Sequence, residues 1–204
     1  VLDLCAGLGM KTTHIAALSG NQAHIVAADP LMSKLNMLRD NAADLGADGI
    51  EVVCADGLTP PFEVRKEGQP AGSMRPGLAD PALPCFDRVL VDAPCSGWGT
   101  LRRHPDLKWR ARPDDTARLA ELQSALLRSA VGLCKNGGRI IYSVCTFTRE
   151  ERYKAGAILT AGNVEPEDGP QWLNQWKIDR GQYRVLPEKR GLDGFFLMRL
   201  RKVS

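Results

Sequence analysis

The chain opens on Val1-Leu2-Asp3-Leu4-Cys5-Ala6-Gly7-Leu8-Gly9-Met10-Lys11-Thr12. A short apolar run gives way to a glycine turn, and the turn to a helical pattern. This reads as a strand (residues 1–4), a loop where a ligand can approach the backbone, and a helix (11–18) whose first N–H groups lack partners. The same order recurs along the chain. Strands are expected at 24–28, 50–54, 88–92, 139–144 and 195–200. Helices are expected at 31–45, with Leu31, Leu35, Leu38 and Ala42 on one face and Gly46 as its stop, at 114–133 and at 149–159. Leu119, Leu122, Leu126, Ala130 and Leu133 form the apolar stripe of 114–133. Asn136-Gly137-Gly138 is a tight turn. Strands alternating with helices imply βαβ units, hence an α/β fold with a parallel sheet and helices on both faces. Such sheets bind ligands beyond the carboxyl ends of their strands. The loops after Leu4, Ala28, Cys54, Leu90 and Val144 are therefore the ones to read for chemistry.

At 204 residues, with 44% hydrophobic and 25% charged side chains, the chain suits one soluble domain. No stretch is apolar for long enough to cross a membrane, and no signal-peptide pattern opens it. The six cysteines form no Cys-x-x-Cys pair, and His14, His24 and His104 sit at no metal-ligand spacing. No metal is expected, and a reducing, cytoplasmic setting fits better than a disulfide framework. Cys54 and Cys134 read as small buried hydrophobes and Cys85 as a bystander. The net charge of +3 is compatible with nucleic acid without requiring it. Residues 60–84, within an insertion loop of about 57–85, are rich in Pro and Gly and lack periodicity; 163–171 form a second loop. No Met precedes Val1, so natural sequence upstream is expected.

Three ligands compete for the first loop. A phosphate-binding loop needs Gly before Lys-Thr, where Met10 stands, and a dinucleotide fingerprint needs Gly at position 12, where Thr12 stands. S-adenosylmethionine has no phosphate and tolerates the looser pattern. Its ribose calls for a carboxylate after the second strand; Asp29 stands there, twenty residues after Gly9. Asp56, after the third strand, is placed to meet the adenine. Asp29 alone does not separate NAD from S-adenosylmethionine; the broken third glycine and the fourth-strand loop decide it.

That loop reads Asp92-Ala93-Pro94-Cys95-Ser96-Gly97, and the loop after the fifth strand reads Tyr142-Ser143-Val144-Cys145-Thr146-Phe147. Two cysteines at the ends of neighbouring strands should meet in one pocket. Carbon 5 of cytosine is a poor nucleophile. A thiolate that adds to carbon 6 makes carbon 5 enamine-like, able to attack a methyl sulfonium. An acidic group near ring nitrogen 3, such as Asp92, can stabilise the adduct. Beyond Cys95, Arg102, Arg103, His104, Lys108, Arg110 and Arg112 surround Trp98 and Trp109. Such a loop can neutralise phosphates and stack on a base, or it is a solvated loop with Trp109 packed on the domain. A second basic group, Arg180, Arg184, Lys189, Arg190, Arg199, Arg201 and Lys202, reads as ordinary charged surface.

These pieces, with Arg102-Arg103-His104-Pro105-Asp106-Leu107-Lys108-Trp109, Glu150-Glu151 and Asp193-Gly194-Phe195-Phe196, resemble the Sun/Fmu (RsmB-type) family of RNA cytosine-5 methyltransferases from end to end. The run from Arg102 to Trp109 resembles the ribosomal-RNA branch. The resemblance implies a Rossmann-like class I methyltransferase fold with a mostly parallel, seven-stranded sheet. It implies that S-adenosylmethionine binds Cys5, Ala6, Gly7, Leu8, Gly9, Met10 and Lys11 together with Asp29, Asp56 and Asp92. The Pro94-Cys95 pair alone would make Cys95 the nucleophile, as in DNA cytosine methyltransferases. The resemblance gives attack to Cys145 and product release to Cys95. Lys11 and a helix start near Thr148 would favour the Cys145 thiolate. RNA would contact Arg102, Arg103, His104, Lys108 and Trp109, with a further RNA-binding region upstream. The expected state is a monomer that acts on RNA, expected to be ribosomal, with no membrane and no metal. Gly7, Leu8 and Met10 stand where the family has Ala, Pro and Gly, and Val144 where it has Thr. The rival readings are a catalytically idle RNA-binding paralogue, a transfer-RNA cytosine-5 methyltransferase and an NAD-dependent oxidoreductase.

Overall fold

The computed structural model describes residues 1–60, 86–112, 114–187 and 191–203. The opening glycine turn carries the chain from β1 (Leu2–Asp3) into α1 (Met10–Leu18). Gly9 adopts φ +85°, a region L side chains rarely enter, and a Cβ there would run into the Leu38 side chain. Leu38 lies on α2 (Met32–Asp44), which follows β2 (Ile25–Asp29). The turn is thus closed down onto the next βα unit. β3 (Ile50–Cys54) and β4 (Phe86–Asp92) come next. α3 (Leu107–Arg110) and α4 (Asp115–Leu133) lead into β5 (Cys134–Val144), and α5 (Arg149–Gly156) follows. The remainder supplies β6 (Val164–Pro166), β7 (Lys177–Asp179), β8 (Gln182–Val185) and β9 (Phe195–Lys202).

The sheet order is β3-β2-β1-β4-β5-β9-β8-β7, with β6 also paired to β9. The first five strands are parallel and the last four pair antiparallel. The order reverses between β1 and β4, the place where doubly wound sheets open a crevice for ligands. Alternate side chains feed both faces. Leu2, Val26, Val89, Ile140 and Tyr142 pack with Leu127 and Ala130 of α4, whereas Ala27 packs with Leu35 and Leu38 of α2.

Several expectations are corrected. The described strands number nine rather than seven. The eight-residue β9 is long enough for β8 to pair with one half of it and β6 with the other. Residues 163–171 are accordingly not all loop. The turn at 136–138 is absorbed into β5 as a bulge, where Gly137 takes φ +76° and the register against β4 slips between Phe86 and Arg88. The 149–159 helix stops at Gly156 and continues as a 3-10 turn, Ala157–Ala161. Leu31 is exposed, because it is the residue before the first turn of α2. The buried stripe of α4 centres on Ala120, Gln123, Leu127 and Ala130, with Leu119, Leu122 and Leu133 at its margins. Cys134 is buried as expected, but Cys54 is exposed beside the Pro30 carbonyl. The insertion read at 60–84 lies outside the described residues beyond Pro60, as does Cys85.

The segment after β4 is held by a backbone crossing. The Gly99 N–H donates to the Cys145 carbonyl at 3.0 Å, and the Gly194 N–H donates to the Gly99 carbonyl at 2.8 Å. A Cβ on Gly99 would overlap the Gly194 backbone and stand 2.8 Å from the Cys145 carbonyl oxygen. Backbone cannot rotate away as a side chain can. Gly99→Ala should therefore lower stability by about 1–3 kcal/mol, the usual range for overpacking, in denaturant unfolding. An unchanged unfolding midpoint would show that this crossing is loose.

Candidate active site

Sheet register assembles the site. Asp3 pairs with Ala27 and Leu90, and Asp92 pairs with Ser143. The carboxyl ends of β1, β4 and β5 therefore lie side by side at the reversal of strand order. There Lys11 of α1 forms an ion pair with Asp92 Oδ2, and Ser143 Oγ donates to Asp92 Oδ1 at 2.6 Å. Both Asp92 oxygens are engaged, which fixes the carboxylate. Asp3 is buried behind them. Its Oδ2 accepts from Thr12 Oγ1 at 2.7 Å, and its Oδ1 has no partner among the described residues. Burial pushes the Asp3 pKa up to about 6. Burial, reinforced by the charges of Asp3, Asp29 and Asp92, pushes the Cys5 thiol up to about 12, so it is inert at neutral pH.

The glycine turn and Asp29 form one unit. The Gly7 N–H donates to Asp29 Oδ2 at 3.1 Å, and the Leu31 N–H to Oδ1 at 3.0 Å. Lys34 Nζ lies 3.5 Å from Oδ2. Nothing stands within 4 Å of where a Gly7 Cβ would be, so the backbone there opens onto space. Asp56 is exposed just past β3, with its Oδ1 accepting the Leu58 N–H at 2.9 Å. The pairing of Asp29 with Cys54 sets the two carboxylates on adjoining strand ends. Ala6 is buried and Leu8 exposed. The Met10 side chain, 71% exposed, lines a separate cleft with Thr13, His14 and Leu45, so it does not block the crevice.

Cys95 and Cys145 meet, with their Sγ atoms 3.1 Å apart. Either sulfur can donate to the other across this contact. The hydrogen bond from Cys95 draws the Cys145 thiol below its usual range; burial and the charge of Asp92 oppose the shift, and Lys11 adds to it. That same bond, together with burial, pushes Cys95 up. The two shifts run in opposite directions, downward for Cys145 and upward for Cys95. α5 does begin just after Thr148, but its first turn carries Glu150 and Glu151, which offset a favourable helix dipole. The Cys95 S–H is the leading support for the thiolate.

The sequence reading missed the polar network behind the two thiols. Gln123 and Glu151 are both 0% exposed. Gln123 Nε2 donates to the Pro94 carbonyl at 2.9 Å and to Glu151 Oε1 at 2.8 Å, and Tyr142 Oη donates to Gln123 Oε1 at 3.0 Å. Glu151 also accepts from the Ser96 N–H at 3.0 Å, Ser96 Oγ at 2.6 Å and Thr148 Oγ1 at 2.7 Å. The available signal was Gln123 itself, a polar residue inside the apolar repeat of α4.

The basic loop stays outside the fold. Trp109 is 82% exposed, with Lys108 Nζ 5.2 Å from its ring centroid, so it is not packed on the domain. Trp98 is half-buried, and Arg102, His104 and Lys108 are exposed. Arg103 is tied to Asp193, and Arg110 to Asp106 at 2.9 Å. In the C-terminal basic group, Arg199 pairs with Glu167 at 2.8 Å and Arg201 with Glu165 at 3.1 Å, while Lys202 is buried. Lys189 and Arg190 lie outside the described residues.

This architecture has known counterparts. The chain is 35% identical over 209 residues to the probable ribosomal RNA small subunit methyltransferase B of Bacillus subtilis, covering 99% of this chain and 43% of that protein. It is 34% identical to ribosomal RNA small subunit methyltransferase B of Pasteurella multocida, covering 100% of this chain and 42% of the relative. The chain thus spans less than half the length of these relatives. Among solved structures, NSun6 from Pyrococcus horikoshii with SFG superposes at TM-score 0.80, with 28% identity over 100% of this chain and 47% of that one. A methyltransferase homologue from the same organism gives TM-score 0.71, with 26% identity over 99% of this chain and 61% of that one. The family model for 16S rRNA methyltransferase RsmB/F matches residues 1–201, and the chain belongs to that family.

Proposed function

We propose that this chain is the catalytic domain of an S-adenosylmethionine-dependent RNA methyltransferase that methylates carbon 5 of a cytosine in ribosomal RNA. The observation that carries the reading is the 3.1 Å contact between Cys95 and Cys145 beside the Lys11–Asp92 pair. The names of the relatives and of the NSun6 structure support it. A cytoplasmic setting is part of the proposal, supported by relatives named for ribosomal RNA. Among the described residues no helix is long and apolar enough to cross a membrane. A monomer remains the expected state.

The residues fit the cofactor. The open backbone at Gly7, the Asp29 carboxylate and Asp56 form a cradle that would hold S-adenosylmethionine along residues 5–11, with Asp92 at its reactive end. When bound, S-adenosylmethionine supplies an electrophilic methyl group. The protein then does the rest. The Cys145 thiolate adds to carbon 6 of the extruded base, and the electron pair moves toward carbon 5. Lys11 and Ser143 hold Asp92 in place beside the ring. After methylation the carbon 5 proton must leave to a base, while the carbon 6–sulfur electron pair returns to Cys145. Cys95, whose Sγ is already at that sulfur, assists this elimination.

The two cysteines should fail differently. Cys145→Ala should give neither methylation nor a covalent complex. Cys95→Ala should methylate once and stay attached to RNA, visible on a denaturing gel as a slow band removed by nuclease. Trapping by Cys145→Ala instead would reverse the roles. Absence of transfer in the wild type would favour the idle paralogue.

The exposed loop holding Arg102, Arg103, His104, Lys108 and Trp109 is the proposed RNA face. Replacing Arg102 and Arg103 with Ala should flatten the slope of log affinity against log salt by about 1–2 units, roughly one per lost phosphate contact. An unchanged slope would mean that this loop touches no phosphate.

A further inference from the structure

The buried network behind the thiols has a geometry that general packing does not require. Glu151 is a carboxylate with no exposed surface, and a buried charge is tolerated only when its oxygens are fully met. All four of its donors come from Ser96, Gln123 and Thr148. Ser96 follows Cys95, and Gln123 also grips the carbonyl of Pro94, which precedes it. Both peptide neighbours of Cys95 are therefore clamped. Ser96 Oγ lies 3.0 Å from Thr146 Oγ1, and Thr146 follows Cys145. One carboxylate thereby links the loop of each cysteine to α4 and α5.

We propose that Glu151, with Gln123, is a positioning device that sets where Cys95 stands against Cys145 and so governs release of the methylated RNA. The proposal rests on the reading that Cys145 attacks and Cys95 assists elimination. Glu151 touches neither sulfur; it acts through Ser96 and Thr148. Its negative charge also opposes ionisation of Cys95, which keeps the proton on that thiol. Loosening the clamp should leave Cys145 able to attack, because it directly follows β5, which is fixed by pairing with β4 and β9, and its own carbonyl is held by the Gly99 N–H. The cost should fall on the later step, in which the position of Cys95 matters.

The test uses the natural full-length protein, S-adenosylmethionine and in-vitro-transcribed 16S ribosomal RNA. Glu151→Gln keeps the shape but loses two acceptor sites to an amide, and Ser96→Ala removes one donor to Glu151 without touching the carboxylate. Cys95→Ala serves as the reference. Both variants should transfer the first methyl group at nearly the wild-type rate. They should then accumulate a denaturation-resistant protein–RNA complex, with release slowed on the order of tenfold, the usual effect of losing a hydrogen bond to a charged group. A merely structural role would lower all steps together and trap nothing. Wild-type release in both variants overturns the proposal, as does slow methylation without accumulated complex. If Glu151→Gln does not fold, Ser96→Ala alone decides by the same criteria. If Cys95→Ala itself fails to trap RNA, the underlying assignment of cysteine roles falls. If it traps and the variants do not, only the positioning role falls.

Discussion

The parallel pairing of β4 with β5 is the constraint on which the site depends. From Arg88 opposite Arg139 to Asp92 opposite Ser143, the two strands advance in step and leave the sheet at the same level. Residues 95 and 145 are thereby brought into contact through sheet register. The antiparallel β9 closes the other side of β5 and returns Gly194 to meet Gly99, so the Cys95 and Cys145 loops are tied by backbone as well as by side chains. Because the bulge at 136–138 is confined to the start of β5, the register at its carboxyl end is undisturbed.

Charge in the crevice is arranged by hydrogen bonding. Asp29 holds two backbone N–H groups, Asp92 holds Lys11 and Ser143, and Glu151 holds four donors. Asp3 stands apart, with one oxygen unmet and a raised pKa. Against this background the two thiols face each other at 3.1 Å. Cys5, deeply buried among carboxylates, is pushed up instead by burial and by the charges of Asp3, Asp29 and Asp92.

Much of this was legible in the sequence. The glycine turn, Asp29, and cysteines following the fourth and fifth strands follow from strand-end rules, and a last strand at 195–200 was expected close to β9. Edges were less legible. β6 and β7 are three residues each, too short to carry a period; β6 forms against the long β9 and β7 against β8. On α4, Leu126 and Ala130 are buried as read, whereas Leu119, Leu122 and Leu133 lie at the margin, because an apolar stripe was sought and Gln123 sits at the centre of the buried face. Cys54 was assigned to the interior on residue type, yet it ends β3 at the edge of the described sheet, where no described residue buries it. Polar networks such as Gln123–Glu151 depend on which loops converge, information that periodicity does not contain.

The central claim is that the shared proton resides on Cys95 and leaves Cys145 as the thiolate. Its most direct test is alkylation by iodoacetamide as a function of pH, with each cysteine followed by peptide mass spectrometry. Only the thiolate reacts, so labelling rises as pH passes through each thiol's pKa. Cys145 should be labelled first, with a midpoint below the ordinary thiol value of about 8.5. Cys95→Ala should move that midpoint upward, because the donor is gone. Labelling of Cys95 before Cys145, or a Cys145 midpoint unmoved by Cys95→Ala, would contradict the account.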